Sequence, residues 1–160
     1  MNNKLYLGLD GGNHIGFAIW DPSLKKFTKL VTYDFWQCIN EIDNLRKDSF
    51  LYGKQLIVVV EDVSQNKPIF KLQKVYQITK GIHNSKLAAA GKVAESVGRV
   101  KQTSDLLIKY CESQNIQVIK KRPRKNSNTK MKSDQFKRLT GYPDRTNEHS
   151  RDAAMLVFGY

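Results

Sequence analysis

The stretch Leu5-Tyr6-Leu7-Gly8-Leu9-Asp10-Gly11-Gly12-Asn13 decides how the rest of the chain can fold. Its apolar run predicts a buried β-strand, and the glycines after Asp10 end that strand and let a bulky group approach the backbone. A carboxylate in this position is suited to holding a metal ion against a phosphate. The simpler interpretation is a hairpin turn, because Asp-Gly is a strong turn signal. On this stretch alone we favour the turn.

The first part of the chain predicts an antiparallel meander followed by a helix, with strands over 4–10, 15–20 and 26–33 and the helix over 35–47. Asp34 is the expected N-cap of that helix. The segment 55–60 is apolar or β-branched at nearly every position and ends in Glu61. Such a run is typical of a strand covered on both faces, so we expect it to lie parallel to the first strand.

The second part of the chain begins with a predicted loop over 62–82, which contains a short helix near 70–79. A long helix over 84–113 that breaks near Gly98 follows, and then a strand over 116–119. Two more helices are predicted, one from after Asn128 to Leu139 and one over 146–160. The chain is long enough for one domain with a real core and too short for two. We therefore predict a single α/β domain over 1–160. Its mixed five-stranded sheet consists of an antiparallel three-strand meander plus two further parallel strands, flanked by helices.

Positive charge is both large and clustered. The chain has 27 Lys and Arg against 15 Asp and Glu, a net charge of +12. One block holds Lys120, Lys121, Arg122, Arg124, Lys125, Lys130, Lys132, Lys137 and Arg138, and its only acid is Asp134. A one-signed block predicts a surface that follows phosphates, with nucleic acid the commonest partner. A membrane partner is not expected, because no lipidation motif or basic amphipathic helix with a bulky apolar face is visible.

Cys38 and Cys111 are far apart and lack the spacing of metal ligands. They predict buried free thiols in a reducing compartment. The chain shows no secretory pattern after Met1 and no apolar run long enough to span a bilayer. We therefore expect a cytoplasmic protein, in a prokaryotic or virus-infected cell.

Three acids stand where a regular element meets a loop: Asp10 ends the first strand, Glu61 ends the fourth, and Asp152 lies in the first turns of the last helix. If the first and fourth strands are parallel neighbours, Asp10 and Glu61 meet at the sheet edge where open α/β sheets bind ligands. Three carboxylates so close would repel one another unless a divalent cation lay among them.

A fourth ligand is expected from the same helix, since His149 and Glu148 both share a helix face with Asp152. Helical geometry does not choose between them, and His149 could equally be a surface or capping residue. Asp62 is a weaker candidate, because it follows Glu61 on a strand and points to the other face. Small residues at Ala90, Ala94 and Gly98 form a stripe that packs either on the protein's own sheet or in a dimer interface.

Hard oxygen ligands favour Mg²⁺ or Mn²⁺ over zinc. Two such ions about 4 Å apart would hold a scissile phosphodiester between them, one activating a water and the other stabilising the leaving oxygen. No Ser or Cys motif for a covalent intermediate is visible, and no small-molecule cofactor is expected.

Three segments in this order resemble the RuvC-type Holliday junction resolvases: Leu7-Gly8-Leu9-Asp10-Gly11-Gly12, Val58-Val59-Val60-Glu61 and His149-Ser150-Arg151-Asp152-Ala153-Ala154. The resemblance covers nearly the whole chain, because the order of strands and helices also fits. It implies a ribonuclease-H-like fold, a homodimer, and divalent-metal-dependent cutting of four-way DNA junctions. The family usually has Asp-Pro-Gly where this chain has Asp10-Gly11-Gly12, and the segment after Glu61 matches poorly. These departures suggest a distant branch, such as a viral one.

The resemblance also implies roles for individual residues. The family's catalytic and metal-binding set corresponds to Asp10, Glu61, His149 and Asp152, which favours His149 over Glu148. Ala90-Gly91-Lys92 is similar to the family's small-residue helix at the dimer interface. The implied DNA-binding residues are Lys120, Lys121, Arg122, Arg124, Lys125, Lys130, Lys132 and Phe70, the last as an aromatic that inserts at the junction.

Three other functions fit parts of the pattern. A nuclease of the same fold could act on branched DNA or structured RNA, because the predicted acidic site does not indicate which of these nucleic acids is the substrate. A non-catalytic junction-binding protein would need only the basic block. A phosphotransferase of the actin and sugar-kinase type also begins with Asp-Gly, but the chain is too short for its two lobes.

Overall fold

A computed structural model describes residues 3–62, 84–123 and 131–160. The strands of its sheet are β1 (Lys4–Asp10), β2 (Ile15–Asp21), β3 (Lys26–Tyr33), β4 (Gln55–Glu61) and β5 (Gln117–Lys121). The helices in the described ranges are α1 (Phe35–Leu51), α2 (Asn84–Ser113), α3 (Ser133–Thr140) and α4 (Glu148–Val157). The predicted α/β class and the five-stranded mixed sheet are confirmed.

The sheet has the strand order β3-β2-β1-β4-β5. β1 pairs antiparallel with β2, which pairs antiparallel with β3, so the predicted meander is confirmed. β4 lies parallel to β1 with Leu9 opposite Val60, and β5 lies parallel to β4 with Glu61 opposite Lys121. The apolar run of β4 therefore occupies the interior of the sheet, as expected for a strand covered on both faces.

Each face of the sheet carries its own core. On one face α1 and α2 cover Leu7, Phe17 and Val58, and the thiols of Cys38 and Cys111 are buried there. On the other face α3 and α4 cover Tyr6, Ala18, Trp20, Phe27 and Val59. Burial raises the pKa of both thiols to about 12, so the predicted buried free cysteines are confirmed.

Local signals explain where the helices begin and end. Asp34 caps α1 as predicted, since its carboxylate accepts the backbone N–H of Gln37 at 2.8 Å. α1 continues past the predicted end at 47 to Leu51, because the left-handed turn that closes it comes only at Gly53, with φ 64°. α2 passes through Gly98 without a break. α4 ends at Val157 rather than 160, since Phe158 is extended and Gly159 has a φ of 85°.

The remaining boundaries differ from prediction by a few residues. β5 spans Gln117–Lys121 instead of 116–119, and the helix expected to end at Leu139 is Ser133–Thr140. The predicted short helix near 70–79 and nearly all of the loop over 62–82 lie outside the described residues. No helix in the described ranges combines the length and apolar character needed to cross a bilayer.

Two glycines let α4 lie directly against the backbone of the sheet. A Cβ added at Gly8 would overlap the carbonyl oxygen of Ala153, and one at Gly16 would overlap that of His149. Gly8 belongs to β1 and Gly16 to the neighbouring β2. Their lack of side chains therefore sets both the depth and the position of α4 across these strands.

The substitution Gly8→Ala should lower the free energy of unfolding by about 3 kcal/mol, because the new methyl group would push α4 off the sheet. Urea denaturation followed by circular dichroism measures this. Gly98→Ala is the matched control: it lies in α2 with nothing within 4 Å of the added Cβ, and should stabilise by about 0.5–1 kcal/mol. Equal stabilities for the two variants would contradict this account of the contact.

A buried carboxylate holds the turn between β2 and β3. Asp21 is 3% exposed; one oxygen accepts the Ser23 backbone N–H at 2.9 Å and the other accepts the Lys54 ammonium at 2.6 Å. Burial by itself would raise the pKa of Asp21. The hydrogen bonds from Lys54 and Ser23, with the charge of Lys54, outweigh it and hold the pKa below the usual value of an aspartate.

Asp21 should therefore make the fold sensitive to acid. Because its pKa is lower folded than unfolded, its stabilisation is present above pH 4–5 and is lost as the pH falls through the folded value. Asp21→Asn should cost about 2–4 kcal/mol at pH 7 and flatten the loss of stability between pH 5 and 3. Urea midpoints measured across this range test it. The exposed Asp105→Asn, whose partner is Lys109 one turn away, should behave like the wild type.

Candidate active site

Two of the predicted carboxylates lie at the same edge of the sheet and face α4. Alternation along β1 puts Asp10 on the face of Tyr6 and Gly8, and alternation along β4 puts Glu61 on the face of Ile57 and Val59. Leu9 is opposite Val60 in the parallel pair, so Asp10 and Glu61 end neighbouring strands at the same level. Both are half-buried, and the side chain of Asp10 is 17% exposed.

The first turn of α4 brings His149 onto this edge. Gly16 lies opposite Asp10 in the β1–β2 ladder and makes room for the His149 backbone. The imidazole Nδ1 of His149 lies 3.3 Å from Oδ2 of Asp10. Two residues 139 positions apart in sequence are thus in contact.

The N-cap of α4 fixes this turn on the sheet. The Asn147 side chain accepts the Ser150 backbone N–H at 2.9 Å, and its amide nitrogen donates to Oγ1 of Thr32 on β3 at 2.6 Å. The helix start is therefore bound to a strand as well as capped. Asp152 follows one turn after His149 and is half-buried, whereas Glu148 is exposed.

The donor set suits a hard divalent cation, because it offers carboxylate oxygens and one imidazole. The contact between Asp10 and His149 supplies two donors side by side. Across residues 3–62, 84–123 and 131–160, however, no three His, Cys, Asp or Glu side chains are grouped closely enough to hold an ion. The described residues therefore bring Asp10 and His149 together without Glu61 or Asp152 grouped around them.

Parts of the basic block have partners within the protein. The Lys121 ammonium donates to the Leu156 carbonyl at 2.7 Å and lies 4.4 Å from the centre of the Tyr160 ring. Lys120 forms an ion pair with Glu112 at 3.0 Å on the opposite face of the sheet. Lys121 thus supports the C-terminal end of α4. Whether either lysine also contacts nucleic acid stays a prediction.

The other predicted nucleic-acid ligands divide into two groups. Arg122 and Lys132 are exposed, the latter immediately before α3. The rest of the predicted set lies outside the described residues, namely Phe70, Arg124, Lys125 and Lys130.

Arg151 connects the interior of the basic block to the start of α4. Its Nε donates to the Met131 carbonyl at 2.9 Å, and its Nη1 donates to the Thr146 carbonyl at 2.9 Å. One guanidinium thus holds the chain just before α3 against the segment that leads into His149. In the sequence Arg151 stands only as part of a motif, and no pattern around it indicates this role.

Two further residues at this edge were missed from the sequence. The His14 ring lies 6.4 Å from the His149 ring, in the turn between β1 and β2. A Cβ added at Gly11 would overlap the hydroxyl of Ser104, a buried residue of α2. The hairpin signal of Asp10-Gly11 could have placed His14 at this edge, since a hairpin keeps its turn residues together. Nothing in the sequence indicated Ser104.

No family model matches the chain, and no curated protein matches it.

If the edge binds a divalent ion, Mn²⁺ or Mg²⁺ should raise the melting temperature by roughly 5 °C at saturating concentration, because the ion binds only the folded state. Asp10→Asn should remove most of that increase, since it removes a carboxylate at the centre of the set. Differential scanning calorimetry with and without EDTA measures it. The control Asp134→Asn changes an exposed acid of α3 and should keep the full increase. An identical shift in both variants would place the ion elsewhere.

Proposed function

We propose that this protein is a divalent-metal-dependent endonuclease of the ribonuclease-H-like fold that resolves four-way DNA junctions by paired phosphodiester hydrolysis. The observation that carries the proposal is the contact between Asp10 and His149 at the edge where β4 ends in Glu61. The strand order β3-β2-β1-β4-β5, with β1, β4 and β5 parallel, supports the fold assignment.

Asp10 and Glu61 would hold the metal ions in this proposal, and His149 and Asp152 would complete the set from α4. When bound, two Mg²⁺ or Mn²⁺ ions would supply an activated water and stabilise the leaving oxygen. The described residues position the side chains that this chemistry would use. Gly16 sets how closely His149 approaches, and the N-cap on Thr32 fixes its direction. The imidazole, 3.3 Å from Asp10, orients that carboxylate.

Charge supports a polyanionic substrate. Arg122 and Lys132 are exposed, and Arg151 holds the part of the basic block around Met131 beside the first turn of α4. Phosphates that follow this block would reach the carboxylate edge. The net charge of +12 would speed the approach of any nucleic acid.

A homodimer would place two such edges on opposed strands of a junction. The stripe of small residues on α2 supports this part of the proposal. Ala94 and Gly98 are exposed, and a Cβ at Gly98 would meet nothing within 4 Å in the described part of the chain. Among the described residues, Ala94 and Gly98 are therefore not covered by the protein's own sheet, which was the alternative to a dimer interface. We propose this face for contact with a second copy.

A non-catalytic junction-binding protein is the second candidate. The observation that favours it is that the described His, Cys, Asp and Glu side chains do not form a group of three around a common point. Such a protein would bind junctions through the basic block and would not respond to metal.

The test is cleavage of end-labelled four-way junction DNA with Mg²⁺ or Mn²⁺, beside linear duplex, flap DNA and folded RNA. We expect paired symmetric cuts in the junction. Asp10→Asn should reduce cleavage at least about a thousandfold, because several kcal/mol of transition-state stabilisation are lost, and should keep junction binding in a gel-shift assay.

The exposed Asp105→Asn is the control and should cut like the wild type. Cutting of flaps or RNA with an intact junction would overturn the substrate but keep the chemistry. Tight junction binding without cutting under either metal would favour the non-catalytic candidate.

A further inference from the structure

A cleft lies at the edge of the sheet opposite the candidate active site, where β4 and β5 begin. It has a volume of about 370 Å³ and lies between the C-terminal end of α1 and the loop that joins α2 to β5. Gln55 and Gln117, the first residues of the two strands, are among the residues that line it. Because β4 is seven residues long, this cleft is roughly 20 Å from Glu61. It is therefore separate from the candidate active site.

The cleft is positively charged. Arg46, Lys47 and Lys54 line it, and none of its described lining residues is acidic. Asp21 neutralises part of the charge of Lys54 through their ion pair at 2.6 Å. Arg46 and Lys47 both lie in the C-terminal half of α1. The lining thus favours an anion.

Two residues that line the cleft each carry a buried polar atom without a hydrogen-bond partner within the described residues. These atoms are Nε of Arg46 and Oγ of Ser49. Ser49 is only 4% exposed, and it lies three residues after Arg46 on the same helix face. A buried donor without a partner costs about 1–3 kcal/mol, so these atoms need an acceptor. An oxyanion that came within reach of these two atoms would accept a hydrogen bond from each.

The rim suggests what the oxyanion is attached to. Phe50 lines the cleft and is 84% exposed, so its ring is available for stacking. Oε1 of Gln117 accepts from the Gln55 amide at 3.0 Å, and the amide nitrogen of Gln117 can donate to the edge of a heterocycle. A volume of about 370 Å³ is at the lower end of the range for ligand sites. We propose that this cleft binds a nucleoside monophosphate, with its phosphate on Arg46 and Ser49 and its base against Phe50.

Calorimetric titration of the full chain with adenosine 5′-monophosphate in EDTA tests the proposal. We expect saturable binding to one site. Adenosine and orthophosphate, each lacking half of the ligand, should bind at least about tenfold more weakly. Equal affinity for orthophosphate would overturn the proposal, because the nucleoside would then contribute nothing.

Variants locate the binding. Arg46→Gln and Lys47→Gln should weaken it, the former about tenfold, whereas Arg99→Gln, an exposed arginine of α2 paired with Glu95, should leave it unchanged. Ser49→Ala should weaken binding without lowering the melting temperature, since it removes an unpartnered buried hydroxyl. Circular dichroism verifies that each variant folds.

Asp10→Asn distinguishes this site from the candidate active site, and it should bind the nucleotide like the wild type. Loss of nucleotide binding in Asp10→Asn would overturn the proposal, as would undetectable heat at millimolar nucleotide or wild-type affinity in both Arg46→Gln and Ser49→Ala. The outcome does not depend on whether the protein is a nuclease.

Discussion

The close approach of α4 to β1 and β2 is the contact on which the candidate site depends. Gly8 and Gly16 remove the side chains that would otherwise separate helix and sheet, so backbone lies against backbone. This close approach buries Ala153 and Val157 of α4 and places the imidazole of His149 beside Asp10. Since one packing interaction serves both purposes, stability and the geometry of the edge cannot be changed independently there.

The remaining contacts of α4 hold it at that position. Asn147 attaches its first turn to Thr32 on β3, and Lys121 of β5 binds the carbonyl of Leu156 near its other end. The two edge strands of the sheet thus hold the two ends of one short helix. Because Lys121 lies opposite Glu61 in the β4–β5 ladder, the same strand pair that presents the second carboxylate also anchors the helix.

The sequence predicted the features that local patterns determine, and it did not predict those that depend on contacts between distant elements. The unbroken apolar run of β4 predicted its interior position, and the parallel pairing of β1 and β4 placed Asp10 and Glu61 at one edge. The contact with His149 depends on how α4 crosses two strands, which no local pattern encodes. The basic cleft lined by Arg46 and Gln117 was not predicted for a similar reason. These two residues belong to elements that come together only in the folded protein. The end of α1 was predicted too early in the sequence. The residue that closes the helix, Gly53, lies beyond the apolar repeat from which the helix was predicted.

The burial of both cysteines makes this chain convenient for site-directed labelling. Cys38 and Cys111 are the only cysteines, and with pKa values raised to about 12 neither presents an appreciable thiolate at neutral pH. A cysteine introduced at an exposed position would be modified selectively by maleimides without first removing the native thiols. Fluorophores or spin labels could thus be placed on α2 or α3, and distances between copies or to bound nucleic acid measured in an otherwise unaltered protein.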